Sequence, residues 1–139
     1  MDRKEFLATV GIGAVAALCT SCLAACNPLD PMVNPPTTNV DFTLDLTTPA
    51  NSALKTNGGF IYNDNIIVAR TVDGSYIAVS SICTHQGNTV AYDLAANRFH
   101  CPAHGSNFAT NGSVINGPAG SPLMTYKTTL NGTSLRVFS

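Results

Sequence analysis

Apolar and polar side chains alternate along most of the chain beyond residue 39, which is the pattern of β-strands with one buried face. Residues 40–46 show this alternation most clearly. Further β-prone runs follow at short intervals: 60–62, 66–69, 76–80, 89–92, 98–100, 123–128 and 135–138. Because no helical period is sustained in this part of the chain, the pattern predicts an all-β domain of about ten short antiparallel strands.

Turn signals separate these runs. Asp73-Gly74, Asn111-Gly112 and Asn131-Gly132 each lie between β-prone segments. Such dipeptides favour two-residue hairpin turns, because Asn, Asp and Gly reach positive φ at little cost. Residues 63–65, which read Asn-Asp-Asn, indicate a further turn. The turn signals therefore predict a series of antiparallel hairpins.

The N-terminus has a different pattern, which indicates an export signal. Arg3 and Lys4 precede an apolar run at 6–18, and small residues then lead to Cys26. Residues 1–25 resemble a bacterial lipoprotein signal peptide, which implies cleavage before Cys26 and lipidation of that cysteine. The alternative is an uncleaved transmembrane helix, since residues 6–25 are nearly long enough to span a bilayer.

The same segment bears on export and location. Arg3-Lys4 resembles a twin-arginine signal with Lys in place of the second Arg, a route that exports folded proteins, and the general secretory route stays open. Residues 26–39 are predicted to be the lipidated cysteine and a linker, because four prolines there disfavour helices and central strands. We therefore expect a protein held to a bacterial membrane by a lipid anchor, on its periplasmic or cell-surface side, with its folded domain at 40–139.

Composition limits the classes of function. The chain has 139 residues, enough for one domain, and its net charge of −1 gives no indication of a nucleic-acid surface. Of its five cysteines, Cys19 and Cys22 would leave with the signal and Cys26 would carry lipid, so Cys83 and Cys101 remain in the domain. Two cysteines in an oxidising compartment can form a disulfide. A disulfide would leave unexplained the two histidines that lie close to these cysteines, His85 and His104.

The candidate chemistry lies in two short boxes, Cys83-Thr84-His85 and Cys101-Pro102-Ala103-His104, with fifteen residues between them. Two thiols and two imidazoles can hold an iron–sulfur cluster or a closed zinc site. With one residue between them, Cys83 and His85 cannot easily bend onto one tetrahedral ion. They could instead reach two adjacent metal atoms, so the spacing favours two irons over one zinc.

These boxes resemble those of the Rieske family, whose pattern is Cys-x-His followed by Cys-x-x-His-Gly-Ser. Gly105 and Ser106 complete the second box, and residues 117–123 resemble the family's third, proline-bearing loop, with Pro118 within it. The resemblance implies one [2Fe–2S] cluster per chain, with two His replacing two Cys on one iron. It also implies an antiparallel β-sandwich base that carries a small cluster-binding subdomain of two or three loops.

The family pattern assigns roles to individual residues. Cys83 and Cys101 would hold the inner iron, and His85 and His104 the outer one. Histidine ligation leaves the oxidised cluster neutral, so reduction is easier than for an anionic four-thiolate cluster. Ser106 stands where high-potential members have a hydroxyl that donates to a sulfide.

Two departures from the family pattern affect the reduction potential. Phe108 replaces a tyrosine that donates to a cysteine sulfur in high-potential members, and Asn88 and Ala103 replace the two cysteines that form a loop disulfide in quinol-oxidising members. With one of the two donors present, we expect an intermediate potential, within the range of about −150 to +300 mV for these centres.

Other residues invite weaker interpretations. Gly87 and Gly105 could present backbone N–H groups to sulfur or simply supply turn geometry. His100 and the four tyrosines fit strand positions better than chemistry. We expect a one-electron carrier between redox proteins such as cytochromes or membrane oxidoreductases, with no substrate site of its own. Two alternatives remain, an electron-transfer subunit of a larger oxidase similar to the arsenite oxidase small subunit, and a zinc-stabilised binding domain.

Overall fold

The computed structural model describes residues 37–139, and its elements are almost all β-strands. They are β1 (Asp41–Asp45), a 3-10 helix (Pro49–Lys55), β2 (Phe60–Asn63), β3 (Ile66–Arg70), β4 (Tyr76–Ser80), β5 (Ala91–Asp93), β6 (Arg98–His100), β7 (Asn107–Ala109), β8 (Val114–Asn116), β9 (Thr125–Asn131) and β10 (Ser134–Phe138). The all-β prediction is confirmed. Within this part of the chain, no helix is long and apolar enough to cross a membrane. The predicted signal at 1–25, Cys26 and most of the predicted linker lie outside the described residues.

The strands form two antiparallel sheets. The larger sheet has six strands in the order β1-β10-β9-β4-β3-β2, and the smaller has four in the order β5-β6-β7-β8. The smaller sheet lies in sequence between β4 and β9, so the chain leaves the larger sheet after Ser80 and returns at Thr125. A base sheet therefore carries an inserted sheet, and both predicted ligand boxes fall in the insertion.

Strand β3 packs into two hydrophobic cores, one in the base sheet and one beneath the inserted sheet. Its residues Ile66, Ile67, Val68 and Ala69 are all buried, at 2% exposure or less. Alternate side chains of a strand point to opposite faces, and Ile66 and Val68 pack in the base core while Ile67 and Ala69 pack in a second core. That second core also contains Cys83, Cys101 and the aromatic residues of the inserted sheet. A continuous apolar run here marks a strand that is covered on both faces.

The predicted hairpin turns are partly wrong. Asn63 and Ile66 pair directly, so the turn predicted at residues 63–65 is confirmed as a tight one. Asp73-Gly74 and Asn111-Gly112 instead lie in longer loops, because the last paired residues are Arg70 with Tyr76 and Phe108 with Val114. In the third case the two linking residues are Gly132 and Thr133, since Asn131 itself pairs with Ser134. Side-chain hydrogen bonds explain the longer loops, because Asp73 and Asn111 each accept from a serine two residues on.

The 3-10 helix at Pro49–Lys55 was not predicted. It begins with Pro at its first turn and buries only Leu54, whose side chain is fully covered. One buried residue in seven gives no amphipathic period, so the hydrophobic pattern carries no signal for such a segment. Its hydrogen bonds to the end of β1 come from the side chains of Thr48 and Asn51, which both donate to the Asp45 carbonyl.

Candidate metal centre

The first ligand loop, residues 83–88, leaves the base sheet directly after β4. The Cys83 N–H donates to the Asn88 carbonyl at 2.7 Å, and the Gly87 N–H donates to the Cys83 carbonyl at 2.9 Å. Gly87 has a φ of 74°, a conformation that glycine adopts without strain. These two backbone hydrogen bonds close the loop that carries His85.

The second ligand loop, residues 101–106, repeats this closure between β6 and β7. The Cys101 N–H donates to the Ser106 carbonyl at 2.8 Å, and the Gly105 N–H donates to the Cys101 carbonyl at 3.0 Å. Gly105 also has a positive φ, of 81°. In both loops the glycine N–H therefore closes a turn on the cysteine carbonyl, which favours the turn-geometry interpretation of Gly87 and Gly105 over donation to sulfur.

The two loops place sulfur inside and nitrogen outside. Cys83 and Cys101 are buried, with 0% and 1% exposure, and both thiols are free. The imidazole rings of His85 and His104 lie with their centroids 4.9 Å apart at an interplanar angle of 88°. His104 is exposed and His85 half-buried. The structure thus brings the four predicted ligands together in two pairs, the two thiols in the core and the two imidazoles on the same loops.

The electrostatics of the thiol pair are those of a buried site. Burial raises the pKa of the Cys83 thiol, and the neighbouring Cys101 thiol raises it further. The His85 backbone N–H and the Ser106 hydroxyl act in the opposite direction, because both donate to the Cys83 sulfur and lower its pKa. These two donors are placed to stabilise a thiolate, which is the form that binds metal.

The side chains fit a two-metal cluster in one further respect. His85 Nδ1 is buried and has no hydrogen-bond partner in the structure. A buried polar atom without a partner is costly unless a ligand satisfies it, and a metal atom would do so. Within residues 37–139, no three His, Cys, Asp or Glu side chains gather as ligands of one ion. The donors instead form two pairs, and a two-iron cluster takes two protein ligands on each iron.

A third loop, residues 117–122, lies beside both ligand loops. The Ala119 N–H donates to the Ser106 hydroxyl oxygen at 3.0 Å, and the Thr84 hydroxyl donates to the Ser121 carbonyl at 2.6 Å. Pro118, which the sequence predicted to cover the site, is exposed on this loop. Ala119 is buried in the same core as the two thiols. The third loop is therefore part of the site.

One predicted tuning residue ends the second ligand loop, and the other lies on β7, which follows it. Ser106 and Phe108 are fully buried, and Phe108 pairs with Phe99 across β7 and β6. A hydroxyl donor is therefore present at the first position, and only hydrocarbon at the second.

Three polar residues near the site were missed by the sequence reasoning or assigned no function. His100, Asn107 and Asn116 stand opposite one another on β6, β7 and β8, and their side chains are hydrogen-bonded in series. His100 is confirmed as a strand residue. No sequence signal marks Asn107 or Asn116, since neither falls in a predicted strand.

The site carries no ionisable acid, lysine or arginine in its loops. Residues 74–92 and 99–126, which contain all three loops, include no Asp, Glu, Lys or Arg. The nearest such pair along the chain, Asp93 and Arg98, forms a salt bridge of 3.6 Å at the far end of the β5–β6 hairpin. The three loops therefore carry no charged side chain.

The fold and the site together define a class of protein, an all-β domain whose two Cys–His loops form a metal-binding centre. The family model of the Rieske [2Fe-2S] domain matches residues 47–127. The cytochrome b6-f complex iron-sulfur subunit of Chlorobaculum tepidum is 35% identical over 130 residues, which cover 91% of this chain and 69% of that protein. The corresponding subunit of Chlorobaculum thiosulfatiphilum is 30% identical, over 96% of this chain and 74% of that protein. The chain therefore belongs to the Rieske [2Fe–2S] domain family.

Solved structures agree with this assignment. The plasma membrane Rieske protein of the cyanobacterium Synechocystis superposes with a TM-score of 0.52 and 31% identity, over 74% of this chain and all of that chain. The ferredoxin of carbazole 1,9a-dioxygenase from Nocardioides aromaticivorans shares the fold, with a TM-score of 0.54 over 73% of this chain and 98% of that chain, at 21% identity.

Membership of this family establishes the cofactor and the general activity. A Rieske domain binds a [2Fe–2S] cluster, which accepts and releases one electron when bound. The predictions of a Rieske-type fold, of this cofactor and of an electron-transfer protein are confirmed. The Rieske domain is an electron-transfer module and has no substrate site of its own, as the sequence analysis expected.

Proposed function

We propose that Cys83 and Cys101 hold the inner iron of the cluster and that His85 and His104 hold the outer one. The observation that carries this assignment is the pair of nearly perpendicular imidazoles, 4.9 Å apart, on the same two loops as two buried free thiols. In this arrangement the sulfur ligands are kept from solvent. The exposed imidazole edge is where a partner can approach closely enough to exchange an electron.

The ligand assignment is tested by single substitutions. We expect His85→Ala and His104→Ala each to abolish the visible absorbance and the EPR signal of the reduced, reconstituted protein. Gln86→Ala is the matched control, because Gln86 is exposed and adjacent to His85. Retention of an unchanged Rieske spectrum by either histidine variant would contradict the assignment, and stoichiometric zinc in a colourless, folded preparation would support the zinc alternative.

The physiological role that we propose is transfer of single electrons between redox proteins outside the cytoplasmic membrane, by a domain held to a bacterial membrane, on its periplasmic or cell-surface side, through lipid on Cys26. The support is the order of features in the sequence, with a basic and apolar N-terminus, a cysteine after small residues and a proline-rich segment before the domain. Mass spectrometry of the purified native protein tests this. We expect an N-terminal acylated Cys26, and an intact residue 1–25 segment would support the transmembrane alternative instead.

A second role is favoured by a specific observation, the similarity to subunits of cytochrome b6-f complexes. In this role the chain would be the iron–sulfur subunit of a larger membrane complex and would have no separate partners. Purification from native membranes in mild detergent distinguishes the two. Comigration with a cytochrome-bearing assembly supports the subunit role, whereas isolation as a single chain that exchanges electrons with added cytochrome supports the carrier.

A further inference from the structure

The two ligand loops have no covalent connection to each other beyond the chain itself. Cys83 and Cys101 are free, and the positions that would carry a loop disulfide are Asn88 and Ala103. Each loop is closed only by its own backbone hydrogen bonds. Since the metal pair must be held by both loops at once, some other group has to fix their separation.

The third loop contacts both ligand loops. At one end, the Thr84 hydroxyl from the first ligand loop donates to the Ser121 carbonyl at 2.6 Å. Towards its other end, the Ala119 N–H donates to the Ser106 hydroxyl of the second ligand loop at 3.0 Å. Ser106 is fully buried, so this bond is shielded from water.

Asn116 ties the start of the third loop to the second ligand loop. Its Nδ2 donates to the Gly105 carbonyl at 3.0 Å and to the Gly117 carbonyl at 3.0 Å. The Gly105 carbonyl also accepts from Asn107 Nδ2 at 3.2 Å. Gly105 lies between His104 and Ser106, so two amides converge on the peptide that joins an imidazole ligand to the hydroxyl donor.

The direction of hydrogen-bond donation among His100, Asn107 and Asn116 follows from which of their atoms can donate and which can only accept. Asn107 Nδ2 donates to Asn116 Oδ1 at 2.7 Å, so Asn107 Oδ1 faces His100 Nδ1, also at 2.7 Å. Since Oδ1 can only accept, His100 Nδ1 carries a proton. Donation therefore runs from His100 through Asn107 and Asn116 to the Gly105 carbonyl, and neither amide can flip without losing bonds.

We propose that the third loop is a hydrogen-bonded strut between the two ligand loops, and that Asn116 is a positioning residue for the His104–Ser106 segment. These hydrogen bonds would fix the separation of the two ligand loops in place of a disulfide. Thr84–Ser121 holds it to one ligand loop, and Ala119–Ser106 together with Asn116–Gly105 holds it to the other. The inference rests on the proposed ligand set, but the contacts themselves do not involve the cluster.

The test compares Asn116→Ala with Asn111→Ala in the full-length protein. Asn111 is an exposed asparagine in the β7–β8 loop whose side chain accepts only from Ser113, so it matches the amide that is lost without touching the strut. Three measurements are made: the reduction potential, the EPR g values of the reduced protein, and hydrogen exchange at the Ala119 amide. We expect Asn116→Ala to shift the first two and to accelerate exchange at Ala119 about tenfold, the effect of losing one or two hydrogen bonds.

Several results separate this inference from its alternatives. A lowered unfolding temperature with unchanged g values, potential and Ala119 exchange would show that Asn116 is merely structural and overturn the proposal. Equal changes in both variants would also overturn it. If Asn116→Ala does not fold, Thr84→Val breaks the other end of the strut with a side chain of the same shape, and the same shifts are expected. If the unmodified protein takes up no cluster, the proposed function fails, and hydrogen exchange still decides the strut.

Discussion

At the residue scale, Phe108 is the clearest candidate for control of the reduction potential. It is fully buried, in the core that contains both thiols. A phenylalanine there offers no donor to a cysteine sulfur. Sulfur that receives fewer hydrogen bonds holds more electron density, which disfavours the added electron and lowers the potential.

We therefore expect Phe108→Tyr to raise the potential by roughly 20–60 mV, the equivalent of one hydrogen bond of ~0.5–1.5 kcal/mol that forms more strongly to the reduced cluster. Protein-film voltammetry measures the shift. Phe138→Tyr is the control, because it adds the same oxygen on β10 of the base sheet, outside the thiol-bearing core. A potential that stays the same or falls in Phe108→Tyr would contradict this account.

Asp73 provides a second test at the same scale. Its carboxylate accepts from the Thr71 and Ser75 side chains, and these hydrogen bonds lower its pKa below the ordinary value of 3.8. The lowered pKa means that the folded state holds the charged form better than the unfolded chain does. This contribution is complete above about pH 4 and is lost as the pH falls through the lowered pKa.

We accordingly expect Asp73→Asn to flatten the loss of thermal stability as the pH falls below about 4, where the unfolded carboxyl takes up a proton first and the folded one at lower pH. The measurement is the unfolding temperature across that range. Asp64→Asn, at an exposed position in another turn, is the charge-matched comparison. Equal flattening in both variants would show that total charge, and not the hydrogen bonds of Asp73, sets the acid response.

At the scale of elements, the loop between β7 and β8 contains a glycine at a position where any larger residue would be strained. Gly112 has a φ of 84°, and a Cβ there would lie 2.6 Å from the Leu123 carbonyl oxygen. That carbonyl belongs to a residue whose own N–H donates back to Gly112 O at 2.8 Å. The close approach anchors the chain segment that follows the third loop.

We expect Gly112→Ala to destabilise the fold by about 1–3 kcal/mol more than Gly132→Ala, because only the former adds overpacking to the cost of a positive φ. Gly132 has a φ of 60° and no atom within 4 Å of an added Cβ, so it isolates the backbone contribution. Urea denaturation of both variants gives the difference. Equal losses would show that the segment moves aside without cost.

The bounds of strands were predicted correctly from the sequence where the local hydrophobic pattern determines them. The strands at Tyr76–Ser80 and Arg98–His100 have the predicted bounds, because alternation and β-branched or aromatic residues mark them. The four ligand candidates were found because two Cys–His boxes at such spacing are rare. The loop at Asp73 was mispredicted because the Asp73 carboxylate accepts from the backbone N–H and the hydroxyl of Ser75. Dipeptide signals do not distinguish such local hydrogen bonds from a tight hairpin.

Hydrogen bonds between a side chain and a group far away in the sequence could not be predicted from the sequence. The acceptor of Thr84 is the Ser121 carbonyl, and every residue has a carbonyl, so the partner leaves no trace in the sequence. Asn107 and Asn116 read as turn or edge residues until the register places them side by side. The site's chemistry was therefore predictable, and the device that spaces its loops was not.

At the scale of the whole molecule, the distribution of charge is unusual. The described residues carry equal numbers of acidic and basic side chains, all of them outside the three loops: Asp41, Asp45, Asp64, Asp73, Asp93, Lys55, Arg70, Arg98, Lys127 and Arg136. Rates of encounter between charged partners fall or rise steeply with ionic strength. A molecule with a net charge of only −1 and no charged side chain in its three loops should show neither behaviour.

We expect the rate of oxidation of the reduced protein by hexacyanoferrate(III), an anion, to change less than about threefold between 10 and 500 mM salt. Gln86→Lys places a cation beside His85 and should both accelerate the reaction at low salt and make it salt-dependent. Thr129→Lys adds the same charge on β9 of the base sheet and should do so much less. A strong salt dependence of the unmodified protein would mean that charges outside the loops steer the encounter.

The burial of strand β3 on both of its faces has a consequence for how the molecule comes apart. Because Ile67 and Ala69 belong to the core under the thiols while Ile66 and Val68 belong to the other, neither core can melt while its neighbour stays intact. Calorimetry should then record a single endotherm in which both sheets unfold together. Binding of the iron–sulfur cluster would therefore raise the unfolding temperature of the whole domain, including strands that do not contact the cluster.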